Sequence, residues 1–287
     1  MSDSIPDPAK TAPFVSPQWL ADHLDDPAVV PIDGSWYLPT QNRNAAAEFA
    51  DAHVPGATFL DIEALADQTS PLPHMLPETG WFGREAGALG IPSDATLVVY
   101  DGAGLFSAPR VWWTLKAFGA RDVRILEGGL PAWRAANLPL ESGRSKRPPA
   151  RFDAVPPGSA VADLAAVEDA LGRDGVQVID ARPAGRFTGD TPEPRPGLAA
   201  GHMPGSLNLP AMAVIADGRL KSIAALRAVF ADAGINPMAP TITSCGSGVT
   251  AAILTLALAR LGNPDTRLYD GSWAEYGSKP ALPVATG

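Results

Sequence analysis

One stretch decides the fold of this chain: ITSCGSGVT, residues 242–250, followed by the apolar run AAILTLALARL, residues 251–261. The pattern predicts a short strand, a tight loop with two glycines and a helix that ends at Gly262. Cys245, the only cysteine in 287 residues, stands where the strand ends. The first amides of a helix carry partial positive charge, and a glycine-bearing turn can add an anion-binding nest. Both effects favour thiolate over thiol, so Cys245 is a candidate nucleophile.

A lone cysteine also has a simpler interpretation, because free cysteines are among the most buried residues and most of them only pack. Here, however, two glycines follow the cysteine within three residues, at a strand-to-helix turn. That setting favours a chemical role for Cys245 over a packing role.

The composition is that of a globular protein long enough for two domains, with 46% hydrophobic and 18% charged residues. The net charge of −9 argues against nucleic acid or an anionic membrane as a partner. An anionic small-molecule substrate would therefore need a locally cationic pocket.

No cofactor or metal site is predicted. One cysteine excludes internal disulfides and cysteine-cluster metal sites, and the four histidines show no metal-ligand spacing. Residues 1–10 carry two aspartates and no apolar segment, unlike a secretory signal, and the longest near-apolar run, residues 251–259, is too short for a membrane span. A cytoplasmic location is expected.

The second half of the chain repeats the first. Four pairs of segments recur in the same order, 143 to 149 positions apart: HVPG 53–56 with HMPG 202–205, ID 32–33 with ID 179–180, DG 101–102 with CG 245–246, and EGG 127–129 with DGS 270–272. This indicates a domain-scale duplication. We predict a polar leader (1–14), a first domain (15–140), a Pro-rich, solvated linker (141–158) and a second domain (159–287).

Each half alternates strands with helices, which predicts α/β domains with mainly parallel sheets flanked by helices. In the first half the predicted strands are 29–33, 57–62, 96–101 and 123–127, and the predicted helices are 44–53 and 109–118. Ligands bind at the carboxyl ends of such strands, where Asp101 and Cys245 both stand. Only the second copy has a nucleophile there.

The chain resembles the two-domain rhodanese-type sulfurtransferases over residues 15–280. The segments that carry the resemblance are HVPGA 53–57, SAPRVWW 107–113, EGG 127–129, HMPG 202–205 and YDGSW 269–273. The resemblance implies two tandem rhodanese-like domains. Within the family, loop 245–250 is similar to that of members that use 3-mercaptopyruvate, with Gly246, Gly248, Val249 and Thr250 as substrate-binding residues. Thiosulfate-using members have cationic side chains directly after the cysteine, and this chain has none.

Two arginines of the second half are candidates to bind a substrate carboxylate. Arg186 and Arg195 belong to GRF (185–187) and TPEPR (191–195), and the prolines at 192, 194 and 196 stiffen the segment. Guanidinium groups grip a carboxylate and a neighbouring keto oxygen in a defined plane. The resemblance implies the same role for both arginines.

The resemblance also implies a Ser-His-acid relay that crosses between the domains, with Ser247 and His74 as members. For the acid, Asp61 and Glu63 share one face of the predicted strand, so spacing leaves both open. The family usually has aspartate where Glu63 stands.

Trp36 and Phe106 are expected to form walls of the cleft. The histidines at 53 and 202 occur at equivalent turns in both copies, which indicates a structural role.

The expected activity is transfer of sulfur from 3-mercaptopyruvate to Cys245 as a persulfide, with release of pyruvate, and then to a thiol acceptor such as thioredoxin or to cyanide. The alternatives are a thiosulfate sulfurtransferase and a non-catalytic persulfide carrier. A dinucleotide site at GAGLFS, residues 102–107, is disfavoured because serine replaces the third glycine. A cysteine phosphatase is disfavoured because Ala251 and Ala252 stand where its phosphate-binding arginine would be.

Overall fold

The first half of the chain forms a five-stranded, wholly parallel sheet. The structure, a computed structural model, describes residues 13–144, 147–173 and 175–287, so most of the predicted leader lies outside the described residues. The strands are β1 (Phe14–Val15), β2 (Val29–Asp33), β3 (Thr58–Phe59), β4 (Thr96–Tyr100) and β5 (Asp122–Leu126), in the order β1-β5-β4-β2-β3.

In the described part of the first half, five α-helices accompany this sheet: α1 (Pro17–Ala21), α2 (Ala45–Asp51), α3 (Thr79–Ala88), α4 (Ala108–Ala117) and α5 (Gly129–Ala135). The N-termini of α1 and α2 follow local capping rules. The Ser16 hydroxyl accepts the amide of Trp19 at 3.0 Å with Pro17 at the first helical position, and Asn44 caps α2 in the same way.

The second half repeats this arrangement with β6 (Val161–Ala162), β7 (Gln177–Asp180), β8 (Leu207–Asn208), β11 (Thr241–Ser244) and β12 (Thr266–Tyr269), in the parallel order β6-β12-β11-β7-β8. A small antiparallel hairpin, β9 (Ile215–Ala216) and β10 (Arg219–Leu220), stands apart from this sheet. The helices are α6 (Leu164–Leu171), α7 (Ala184–Thr188), α8 (Ile223–Asp232), α9 (Ala251–Leu261) and α10 (Ser272–Tyr276). The two tandem α/β folds predicted from the duplication are confirmed.

The equivalent histidines are structural, as predicted. His53 stacks on Phe49 and bonds through Nδ1 to its carbonyl at 2.7 Å, while His202 stacks on Phe187 and bonds its carbonyl at 2.9 Å.

One predicted strand is much shorter than expected. The pairing of 57–62 is confined to Thr58–Phe59, because Asp61 turns the chain by accepting the amides of Glu63 and Ala64 at 2.9 and 3.3 Å. The prediction that Asp61 and Glu63 share a strand face is therefore wrong.

Helix α3 was not predicted, because its three glycines disfavour a helix. Two of them allow close packing. A Cβ at Gly83 would lie 2.9 Å from the carbonyl oxygen of Phe152, and one at Gly87 would lie 2.6 Å from that of Ala150. The same contacts show that the predicted linker is not solvated throughout. Phe152 is buried and packs edge-to-face on Phe82.

The two halves share one hydrophobic core at their interface. Helix α9 is apolar around most of its circumference and packs against α4 of the first half. This contact brings the carboxyl edge of β11 next to loops of the first half. Within the described residues, no helix is long and apolar enough to cross a membrane.

Candidate active site

Cys245 directly follows β11, and α10 anchors its loop. The carbonyls of Cys245 and Gly246 accept the amides of Trp273 and Ala274 at 2.9 and 3.0 Å, and the Cys245 amide donates to the Ser272 hydroxyl at 3.2 Å. Only 2% of Cys245 is exposed. These bonds fix the backbone of the loop at Cys245, and the residue is buried there.

The equivalent loop of the first half shows what such a loop binds. There the carboxylate of Asp101 takes the place of the thiol and accepts four backbone amides, at 2.7 to 2.9 Å, from Ala103, Phe106, Ser107 and Ala108. In the described part of the second half, no acceptor contacts the amides of residues 246–250. These amides are available to stabilise an anion at the carboxyl end of β11.

A cavity of about 440 Å³ opens onto this loop between the two halves. It brings together most of the predicted substrate-binding residues. The predicted residues that line it are Trp36, Phe106, Arg186, Arg195, Cys245, Gly246, Ser247, Val249 and Thr250.

Gly248 is the exception among the predicted loop residues, because it does not line the cavity. It has φ of +78°, its carbonyl accepts from Arg110 Nη1 at 3.4 Å, and a Cβ there would lie 2.6 Å from that nitrogen. Glycine at position 248 therefore allows Arg110 to approach the loop closely.

His74 joins the two halves next to the cysteine loop. Its Nδ1 lies 3.0 Å from the Ser247 Oγ, and its Nε2 lies 3.6 Å from Glu63 Oε1, which also accepts the indole N–H of Trp36 at 2.9 Å. Of the two acids left open by the sequence, Glu63 faces His74, while Asp61 is engaged in its own turn. The arrangement has the order serine, histidine, acid.

The environment of His74 favours the neutral imidazole. Burial lowers the pKa of His74 below its ordinary value of 6.5, and the positive charges of Arg110 and Arg195 lower this pKa further. The nearby carboxylate of Glu63 acts in the opposite direction. A neutral imidazole can accept a proton from Ser247.

A buried ion pair secures this contact between the halves. Arg110 Nη2 lies 2.7 Å from Asp270 Oδ1, and both side chains are almost fully buried. The same nitrogen donates to the carbonyl of His74 at 2.6 Å, and Asp270 accepts the amide of Leu76 at 2.7 Å. The pair therefore connects the His74 loop to the end of β12.

The two predicted carboxylate-binding arginines have different surroundings. Arg186 donates from Nε to Glu193 Oε1 at 3.1 Å and from Nη2 to Glu193 Oε2, and it lies beside Gly246. Arg195 is half-buried, and within the described residues it contacts no carboxylate. Both line the cavity, but only Arg195 presents an uncompensated charge.

Comparisons with known proteins identify the family of this chain. The rhodanese-like domain family matches residues 16–136 and again residues 163–279. The chain belongs to the rhodanese-like family. Among relatives, the 3-mercaptopyruvate sulfurtransferase of Escherichia coli (strain K12) is 48% identical over 272 residues, which cover 94% of this chain and 97% of the relative. The human 3-mercaptopyruvate sulfurtransferase is 42% identical over 270 residues, covering 92% and 91%.

Two solved structures match nearly the whole chain, and so both halves at once. The crystal structure of SseA from Escherichia coli matches with a TM-score of 0.85 and 46% identity, over 92% of this chain and all of that one. Tum1 from Saccharomyces cerevisiae matches with a TM-score of 0.87 and 32% identity, over 96% and 98%.

Sequence reasoning assigned no role to Arg110, Asp270 or Glu193. All three stand inside segments that were singled out for other reasons: SAPRVWW, YDGSW and TPEPR. A charged residue within an otherwise apolar or proline-rich motif was the available signal, because burial of a charge requires a partner.

Proposed function

We propose that this chain is a 3-mercaptopyruvate sulfurtransferase. One observation carries the proposal: a single cavity is lined by Cys245, by Arg186 and Arg195, and by Ser247, whose hydroxyl contacts His74. The relatives named for this activity cover nearly the whole chain, which supports it further.

The substrate, HS–CH₂–CO–COO⁻, carries its charge at the end opposite its sulfur. Arg195 would bind the carboxylate as a charge partner, and Arg186 would direct its remaining donors at the carboxylate or keto oxygen. The thiol of the substrate would then lie near Cys245, in the cavity that Trp36 and Phe106 also line.

The Cys245 thiolate attacks the substrate sulfur. An S–S bond forms, the C–S bond breaks, and its electron pair stays on carbon as the enolate of pyruvate. The proton lost by the substrate thiol passes through Ser247 and His74 and returns to that carbon, which gives pyruvate. Glu63 would stabilise the transient imidazolium of His74.

The sulfur remains on Cys245 as a persulfide, whose anionic form the amides of residues 246–250 would stabilise. A thiol or cyanide then attacks the outer sulfur, and the Cys245 thiolate leaves. We place this reaction in the cytoplasm, where reducing conditions supply thiol acceptors and keep a lone cysteine reduced. Fractionation of the source cells tests that location.

The test is intact-mass spectrometry combined with pyruvate assay. With 3-mercaptopyruvate, the protein should gain the mass of one sulfur atom and release one pyruvate in a first turnover. Cys245→Ser should do neither. Absence of pyruvate release by the unmodified protein would favour the non-catalytic carrier.

Comparison of donors separates the proposal from a thiosulfate sulfurtransferase. Residues 246–250 carry no cationic side chain to bind the second charge of thiosulfate beside the thiolate. We therefore expect kcat/KM for 3-mercaptopyruvate to exceed that for thiosulfate. The reverse order would identify thiosulfate as the donor.

A further inference from the structure

Glu193 is an unusual residue of the site, because its carboxylate is buried between two guanidinium groups. Its side chain is 2% exposed. It accepts Nη1 of Arg182 at 2.7 Å, and it also accepts the Nε and Nη2 of Arg186. Arg182 is in turn paired with the buried Asp180 at 2.6 Å. Asp180, Arg182, Glu193 and Arg186 thus form one continuous, alternating row of charges.

This row is neutral as a whole, because two carboxylates compensate two guanidinium groups. Arg182 and Arg186 line the cavity, yet the row adds no net charge to it. Arg195 is then the one uncompensated cation among the described residues that line the cavity. The other acid nearby, Glu63, faces His74 and has a side chain that is 63% exposed.

We propose that Glu193 determines donor specificity by removing one positive charge from the cavity, so that the site accepts a monoanionic 2-oxo acid and disfavours a dianion. This inference rests on the proposed function and adds a specificity-determining residue to it. Specificity is a difference between two binding free energies, and an uncompensated charge changes the two unequally. Glu193 acts through Arg186 and touches no substrate.

Four variants test the charge argument: Glu193→Gln, Glu193→Asp, Arg186→Gln and the double variant Arg186→Gln/Glu193→Gln. The activities compared are kcat/KM for 3-mercaptopyruvate and for thiosulfate. Binding of pyruvate and of oxaloacetate, which differ by one carboxylate, is measured in parallel by calorimetry. The binding arm works without turnover, so it tests the charge argument even if the proposed activity fails.

In Glu193→Gln, kcat/KM for thiosulfate relative to that for 3-mercaptopyruvate should rise about tenfold. The affinity for oxaloacetate relative to that for pyruvate should rise by about the same factor. Glu193→Asp keeps the charge and should stay within about threefold of the unmodified protein. If Glu193→Gln does not fold, because Arg182 loses a buried partner, Arg186→Gln remains informative, since it leaves Glu193 paired with Arg182 and gives the row a net negative charge. Arg186→Gln should then weaken the binding of oxaloacetate more than the binding of pyruvate. The double variant restores the charge balance and should bind pyruvate more tightly than Arg186→Gln alone.

Three outcomes would overturn the inference. The first is an equal loss of affinity for monoanion and dianion in Glu193→Gln, as expected if Glu193 is only structural. The second is a shift in Glu193→Asp as large as that in Glu193→Gln. The third is a double variant that binds pyruvate no better than Arg186→Gln.

Discussion

Arg110 and Asp270 lie 160 positions apart in the chain, and their side chains form a buried ion pair at 2.7 Å. Arg110 also donates to the carbonyls of His74 and of Gly248, which directly follows Ser247, so it holds the backbone on both sides of the contact between His74 and Ser247. The proposed relay exists only when the two halves are docked, and this ion pair lies beside it.

Loss of one partner of this pair should destabilise the protein strongly. Asp270→Asn leaves the guanidinium of Arg110 buried without a counter-charge, which costs about 3–5 kcal/mol in comparable cases. Chemical denaturation measures the loss. The matched control is Asp153→Asn, which breaks the solvent-exposed pair with Arg151 and should change the free energy of unfolding very little. Equal effects of the two substitutions would contradict this account of the interface.

The pH dependence of activity should follow His74. Because its pKa is lowered below 6.5, the acid limb of kcat/KM should have its midpoint below that value. Glu63 raises this pKa, so Glu63→Gln should move the limb to still lower pH.

The free energy of unfolding should also depend on the protonation of His74. A lowered folded-state pKa means that the unfolded chain binds more protons, so stability is complete above pH 6.5 and falls as pH drops below it.

Steady-state profiles from pH 4.5 to 8 and denaturation across the same range give both quantities. His74→Asn serves as the control, because it should remove this contribution to the pH dependence of stability. An acid limb that Glu63→Gln leaves in place would show that another group controls it.

The two arginines should respond differently to lysine. Arg195→Lys keeps the uncompensated charge and should retain most of the affinity for 3-mercaptopyruvate. Arg186→Lys loses the fork that holds Glu193 and should raise KM roughly 10- to 100-fold, the equivalent of one charged hydrogen bond. Initial-rate measurements at saturating acceptor distinguish the two. A larger rise in KM for Arg195→Lys than for Arg186→Lys would contradict this. It would mean that Arg195 acts through its fork geometry and Arg186 through its charge.

Gly248→Ala tests the close approach of Arg110. Gly248 and Gly262 both have positive φ, but a Cβ at Gly262 meets no atom within 4 Å, whereas one at Gly248 meets Arg110 at 2.6 Å. Gly262→Ala should therefore cost about 1 kcal/mol for the backbone alone. Gly248→Ala should cost at least about 1 kcal/mol more, because Arg110 is held by Asp270 and cannot move away. Thermal unfolding of both variants measures the difference. Equal losses of stability would mean that Arg110 can move away from a Cβ at position 248.

Much of the fold was accessible from sequence, because it depends on local patterns. The strand, loop and helix around Cys245 follow from hydrophobic runs and glycines, and the duplicated motifs indicate two similar sheets. The cavity-lining arginines were also predicted, because prolines and a family motif mark their segment.

The parts that sequence could not predict depend on distant contacts or on a single turn. Asp61 ends its strand early because its carboxylate accepts two backbone amides. The alternation of apolar and polar residues in the sequence does not predict this turn. Glu193 stands in a polar, proline-rich segment that predicts exposure, and its burial follows from two arginines that fold around it. The partner of Arg110 belongs to the other half, and no local pattern connects them.

Because Asp101 accepts four backbone amides of its own loop, these amides are not open to an anionic ligand, and only the second half has a reactive centre. A carboxylate tethered to the chain competes at an effective concentration that a diffusing anion cannot match. In the first half, Asp101 therefore fills the amide nest that is left open beside Cys245 in the second half. The first half then supports the reactive loop of the second and supplies its histidine, because His74 contacts Ser247.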